Sequence, residues 1–180
     1  QDLKEVGYTL ATKTKKHCTN CRANTTQLLL LPLSRGGISG YETWTPETRT
    51  KIIKVLNCYD SFEGKIGRKE GLLPDHKFPE IRWDLETKRE SLSNLSESEI
   101  KHDFQLLSNQ RNQQKREVCR ACYQTGARGK IFGISYFYEG GKNWDPDIPS
   151  KGKAAEQGCK GCGWDDIQKG RVALEKKLKM

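Results

Sequence analysis

The apolar positions of this chain come in short bursts between long polar stretches. Over residues 1–40 a basic stretch, Lys13 to Lys16, leads into His17-Cys18-Thr19-Asn20-Cys21 and then an apolar run, Leu28 to Leu31. Ser34 to Gly40 reads as a glycine-rich loop. Thr45-Pro46-Glu47 marks a helix start, with Thr as N-cap and Pro at the first helical position. Ile52, Ile53, Val55 and Leu56 then support a helix of about three turns. Turn glycines follow at 64 and 67, and Leu72-Leu73 reads as a short buried strand ending at Pro74-Asp75-His76. A charged segment, Asp84 to Glu99, closes with Ser96-Glu97-Ser98-Glu99, which has the composition of a capping box. Leu106 and Leu107 precede a polar helix over Asn109 to Val118. Ile131 to Tyr138 is predicted as an aromatic strand, Cys159 to Trp164 as a knuckle, and Asp165 to Lys179 as a short amphipathic helix. The sum is a small α+β chain.

Composition makes the core thin. Of 180 residues only 34% are hydrophobic, and mean hydropathy is -0.83. Chains of this kind draw extra stability from a metal or from oligomerisation. The net charge is +9, which favours a polyanionic partner through counterion release. No run of apolar residues is long enough to span a membrane, and no charged-then-apolar leader opens the chain, so a cytoplasmic protein is expected. Six of the seven cysteines form three CxxC pairs: Cys18 and Cys21, Cys119 and Cys122, Cys159 and Cys162. Only Cys58 stands alone. Paired knuckles in a reducing compartment favour zinc over disulfides.

Chemistry concentrates around one of three histidines. His76 follows an acid at the end of a rigid apolar strand, whereas His102 beside Asp103 has the look of an exposed strand-end residue. Hydrolysis of a phosphodiester needs a base for water, a cation to stabilise charge on phosphate and leaving oxygen, and groups that fix both. An imidazole suits the first task near neutral pH. Asp75 and Asn112 are hard oxygen donors that suit Mg²⁺ (or Mn²⁺) with several waters retained. Asn112 and Lys115 lie three apart on one helix face, so Lys115 is expected to meet the phosphate.

Pro74-Asp75-His76, then Asp103-Phe104-Gln105-Leu106-Leu107-Ser108, then Asn112-x-x-Lys115 resemble the motif of the ββα-metal (HNH) nucleases. The likeness covers residues 59–122, and with flanking knuckles the chain is most similar to bacterial HNH restriction endonucleases of type II. The resemblance implies His76 as general base, Asp75 and Asn112 as catalytic metal ligands, and Lys115 as a phosphate contact. Asp103 falls where the family has a central Asn that orients the loop bearing the histidine. The 36 residues from His76 to Asn112 exceed the family's compact form, so the charged segment 84–99 must loop out between two strands. The fold expected is a zinc-stabilised ββα-metal core, residues 59–118, between a knuckle-bearing helical region, 1–58, and a zinc-binding hairpin with C-terminal helix, 119–180, packed as one unit.

Cys119, Cys122, Cys159 and Cys162 are expected to form a structural tetrathiolate zinc site, closed to water. The competing arrangement pairs Cys18 and Cys21 with Cys119 and Cys122. Arg35, Lys65, Arg68, Lys69, Arg82, Arg111 and Arg116 are candidates for phosphates or guanine edges, and Gln110, Gln113 and Gln114 for bases; a solvated charged face explains any one of them equally well. The four tryptophans are assigned to packing. The function expected is site-specific double-strand DNA cleavage, giving 5′-phosphate ends, by a homodimer on a palindromic site in a bacterial cytoplasm. A nicking or homing-type HNH nuclease and a non-catalytic zinc-knuckle DNA-binding module are the alternatives.

Overall fold

A computed structural model describes residues 8–34, 45–89, 91–92 and 94–179. Arg35, Trp44 and most of the glycine loop after Ser34 lie outside the described residues. The chain divides into two compact units, residues 1–40 and 41–180.

The first unit contains an antiparallel pair, β1 (Tyr8–Cys18) and β2 (Ala23–Ser34). Cys18 and Cys21 therefore bracket a hairpin tip. Arg22 in that tip has φ +52, the left-handed value a tight return requires.

The second unit is mixed α and β. Helix α1 (Pro46–Val55) begins as its signals predict: Thr45 Oγ1 accepts from the Thr48 amide at 3.2 Å and Pro46 occupies the first turn. A four-stranded sheet follows, in the order β4 (Lys65–Ile66), β3 (Tyr59–Asp60), β6 (Phe104–Ser108), β5 (Leu72–His76). β3 and β6 are parallel, while β5 and β6 pair antiparallel along their full length, from Leu72 opposite Ser108 to His76 opposite Phe104. Pro74 is tolerated because β5 lies at the edge of the sheet. The connection from β5 to β6 loops out as its charge suggests and ends in helix α2 (Glu97–Asp103), whose reciprocal Ser96–Glu99 capping box is formed. Helix α3 (Asn109–Thr125) follows β6 directly, capped by Ser108.

Strand alternation sorts the core into two faces. Phe104 and Leu106 join Ile52, Ile53, Leu72, Leu95 and Ile100 in one cluster. Leu107 joins Ile131, Trp164 and Ile167 in the other, with Phe62 and Val118 packed against them. Helix α1 and Cys58 pack into the first cluster, so they belong with the sheet rather than with the N-terminal region where the sequence grouping places them. Past α3 come a single-turn helix α4 (Glu156–Cys159) and the terminal helix α5 (Ile167–Leu178), capped by Asp166.

The aromatic segment after α3 departs from the expected strand. Ile131 to Tyr138 forms no named strand. Ile131 and Ile134 exchange backbone hydrogen bonds across Phe132 and Gly133, which have φ +54 and +78. Two successive left-handed residues reverse the chain at once, and aromatic composition does not override that. The C-terminal knuckle is fixed by close approach: at Gly161, φ +81, an added Cβ would lie 1.9 Å from the Glu139 carbonyl oxygen.

Candidate active site and thiol cluster

β5, β6 and α3 converge on the Asp75 carboxylate. β5 carries the acid, and β6 places Gln105 directly opposite it in register. α3 turns its buried stripe, Asn112 and Lys115, toward the strands, while Gln110, Gln113 and Gln114 stay exposed. The i, i+3 spacing achieves this, since residues three apart share a helix face. Asp75 Oδ2 accepts from Lys115 Nζ at 2.6 Å and from Gln105 Nε2 at 2.9 Å. Oδ1 has the Asn112 amide at a long 3.4 Å. The two oxygens are thus unequally satisfied, with Oδ1 holding only the long Asn112 contact. An amide turned to present its oxygen would make Asn112 the second ligand, since amide oxygen and nitrogen are exchanged by a simple flip. As donor types Asp75 and Asn112 suit a hard divalent ion, but Asp75 is 9% exposed and, among the described residues, no ready-made ligand group surrounds it.

Lys115 is not where the sequence reading puts it. It is 2% exposed, and its ammonium also donates to the carbonyls of His76 and Lys77. Burial, the largest single influence, would lower its pKa, but the charge and hydrogen bond of Asp75 together with the nearby Cys119 and Asp165 outweigh it and hold Lys115 above the ordinary lysine value. Lys115 locks strand to helix instead of facing an incoming phosphate. Replacing it with Met leaves Asp75 buried without its cation and is expected to cost about 3–5 kcal/mol. Urea unfolding measures this, and a loss under about 1 kcal/mol would show the pair to be dispensable.

Asp103 is likewise displaced from its expected role. Its carboxylate faces Arg89 and His102, away from Asp75, and only its backbone oxygen supports the loop, by accepting from the Lys77 amide at 2.8 Å. The amide that serves the site is Gln105, which sequence reasoning missed. Besides Asp75, it donates to the Trp164 carbonyl at 3.4 Å and accepts from the Ile167 amide at 3.2 Å. It ties the sheet to the start of α5. Gln105→Leu strands that amide and is expected to destabilise by about 1–3 kcal/mol in thermal unfolding.

His76 opens on the other face of the same strand end. Its ring lies edge-on to Trp83 and tilted on Phe104, each with centroids 4.6 Å apart. Nδ1 sits 3.4 Å from Glu80 Oε1. That partner, also missed, follows a non-helical turn and so leaves no periodic signal in sequence. His76 and Asp75 are each 9% exposed.

The second grouping is the thiol cluster. Cys119, Cys122, Cys159 and Cys162 line one cavity of about 20 Å³, with Arg82, Arg128, Trp144 and Asp165 around it. Among the described residues no three Cys, His, Asp or Glu side chains stand in ligand geometry, so a shared ion requires the thiols to turn inward. Burial pushes the Cys119 thiol up to about 12 and raises Cys159 and Cys162 as well; it also lifts the Asp165 carboxyl to about 6. Coordination would reverse the thiol shifts, since a bound thiol ionises outright. The charge environment suits that outcome. Arg82 and Arg128 are 2% and 6% exposed, and among the described residues neither has a carboxylate partner. Arg82 reaches the Ser150 carbonyl at 3.0 Å and Cys122 Sγ at 3.3 Å beneath the Trp144 ring. Arg128 donates to four backbone carbonyls around the knuckle, at Glu139, Gly141, Cys159 and Lys160. A tetrathiolate zinc centre carries two negative charges, which these two buried cations would balance.

Arg82 is thereby removed from the DNA candidates, because its guanidinium is enclosed by this cluster. Arg111 is half-buried, stacked on Phe62 at 3.9 Å and bonded to Gln114 and Glu63. Arg116 is half-buried, whereas Arg68 and Lys69 are exposed just before β5 and Lys65 is exposed on β4, the opposite edge of the sheet. Trp83, Trp144 and Trp164 pack as assigned, and no described helix is long and apolar enough to cross a membrane. Comparison of the chain with known protein families, with curated proteins and with solved structures finds no match.

Proposed function

We propose that the chain is a metal-dependent double-strand DNA endonuclease of the ββα-metal type, acting as a restriction enzyme. The observation that supports this most is the meeting of Asp75 from β5 with Asn112 from α3 across the antiparallel β5–β6 pair. That is the strand–strand–helix placement the sequence resemblance implies. A Mg²⁺ or Mn²⁺ ion at Asp75 and Asn112 would supply charge stabilisation at the phosphate and the departing 3′ oxygen. Everything else falls to side chains. Glu80 at Nδ1 favours the tautomer that keeps that nitrogen protonated, leaving the far ring nitrogen of His76 to take a proton from water. Trp83 and Phe104 fix the plane of the imidazole. Lys115 and Gln105 anchor Asp75 so that its second oxygen keeps one direction. Zinc on the four C-terminal cysteines would hold the end of α3 against the knuckle. Cleavage of both strands calls for two such sites, hence a homodimer on a two-fold symmetric sequence.

A second reading, a DNA-binding module without catalysis, is favoured by the enclosure of the site. Lys115 already neutralises Asp75, and His76 is nine-tenths covered. Digestion of a sequenced duplex with Mg²⁺ or Mn²⁺, followed by mapping of the ends, separates the two. Discrete 5′-phosphate ends support the nuclease; tight binding with no cut under either ion supports the module.

A further inference from the structure

The β1–β2 ribbon is divided along its length by chemistry. Its base pairs Leu10 with Leu30, Ala11 with Leu29 and Thr12 with Leu28. Beyond Thr12 the aliphatic residues end, apart from Ala23. Residues 12–27 hold Lys13, Lys15, Lys16 and Arg22, with no Asp or Glu anywhere between Tyr8 and Ser34. The remaining positions are mainly Thr, Asn, Gln and His, which are short or planar hydrogen-bonding side chains. An isolated two-stranded hairpin is marginal in water, so the apolar base has a structural purpose that the polar outer half does not share. Along the tip, residues 17–26, only Cys18 and Thr25 are even half-buried; the other eight are exposed.

We infer that the outer half of this ribbon, residues 12–27, is a nucleic-acid-reading arm that enters the major groove of duplex DNA. This rests on the nuclease reading and deepens it by naming the element that contacts the substrate. Dimensions and charge both favour it. Two strands about 4.8 Å apart, with their side chains, fit a groove about 12 Å wide. Seven residues of strand reach roughly 23 Å along it. The register shifts between Lys13 and Lys16, so Thr14 and Lys15 face one residue of β2. Such a bulge increases right-handed twist and lets a ribbon follow a helical groove. An acidic protein surface is the weaker partner because the arm offers no aromatic or aliphatic anchor to bury. Within the arm the roles divide. Lys13, Lys15 and Lys16 suit phosphates, whereas Arg22, Asn20 and Asn24 at the tip have the donor sets that pair with guanine and adenine edges.

Full-length Lys13→Ala/Lys15→Ala/Lys16→Ala is to be compared with the native chain by titrating fluorescent duplex over a range of salt without divalent ions. The triple variant is expected to bind at least tenfold more weakly at low salt, with a log–log salt slope smaller by about two to three. Lys15→Glu alone provides the same reading if the triple variant folds poorly. Arg22→Ala is expected to bind almost as tightly but to lose base preference in selection from a random duplex pool. An unchanged slope in both lysine variants, with the native chain still cutting DNA, overturns the arm and leaves the nuclease standing. A native chain that neither binds nor cuts duplex overturns both, and a preference for single strands or RNA overturns the groove assignment.

Discussion

His76→Ala should abolish cutting while leaving DNA binding intact. Removal of a positioned general base typically costs 10²–10⁴-fold in rate. The imidazole is held by Trp83, Phe104 and Glu80, none of which belongs to the Asp75 cluster, so its removal leaves the strand–helix lock of Lys115 and Asp75 in place. Supercoiled plasmid with Mg²⁺ gives the rate, and duplex titration gives the affinity. A variant that cuts within tenfold of the native rate would show that another group takes the proton. Glu80→Gln supplies a graded comparison: an amide still contacts Nδ1 without a charge, so a smaller loss of about tenfold is expected, with affinity unchanged. Equal losses in His76→Ala and Glu80→Gln would mean that both act through the fold.

Zinc removal is the second large effect. The purified chain should carry zinc, and Cys122→Ser and Cys159→Ser should each lose it, with unfolding at a much lower temperature. Apparent metal-binding free energies in small thiolate sites are on the order of 10–16 kcal/mol at neutral pH, more than the whole stability of an ordinary domain. Loss of the ion would also leave Arg82 and Arg128 as buried cations without counter-charge. Cys18→Ser separates the two pairings: if Cys119, Cys122, Cys159 and Cys162 share the ion, this variant keeps it. Metal content equal in native chain and Cys122→Ser would sink the tetrathiolate assignment outright. Cutting by the chelated protein after Mg²⁺ is restored would show zinc to be irrelevant to the active site.

Local chemistry made several elements readable. Thr45-Pro46 and Ser96 to Glu99 are cap signals that act over one turn, and both helices start where those residues place them. Asn112 and Lys115 share a buried stripe because helical spacing alone puts them on one face. The same local logic failed at Ile131 to Tyr138, where β-forming residues were outweighed by a left-handed Phe132-Gly133 turn. It also left the N-terminal ribbon unread, since Lys13 to Lys16 and Leu28 to Leu31 have no alternating pattern and pair only through register.

What the sequence alone determined is therefore the set of chemical groups and the capped helix starts: an acid beside an imidazole, an amide and a lysine one turn apart, and three thiol pairs in a basic chain. Tertiary structure decided their employment. Register across β5 and β6 chose Gln105, not Asp103, as the partner of Asp75. Burial turned Lys115 from a phosphate contact into a strut and drew Arg82 inward to the thiols. The physical reason is the same in each case. A side chain's type is fixed by the gene, but its charge, partners and access to water depend on neighbours that are remote in sequence, and those are set only when the strands pair and the helix packs.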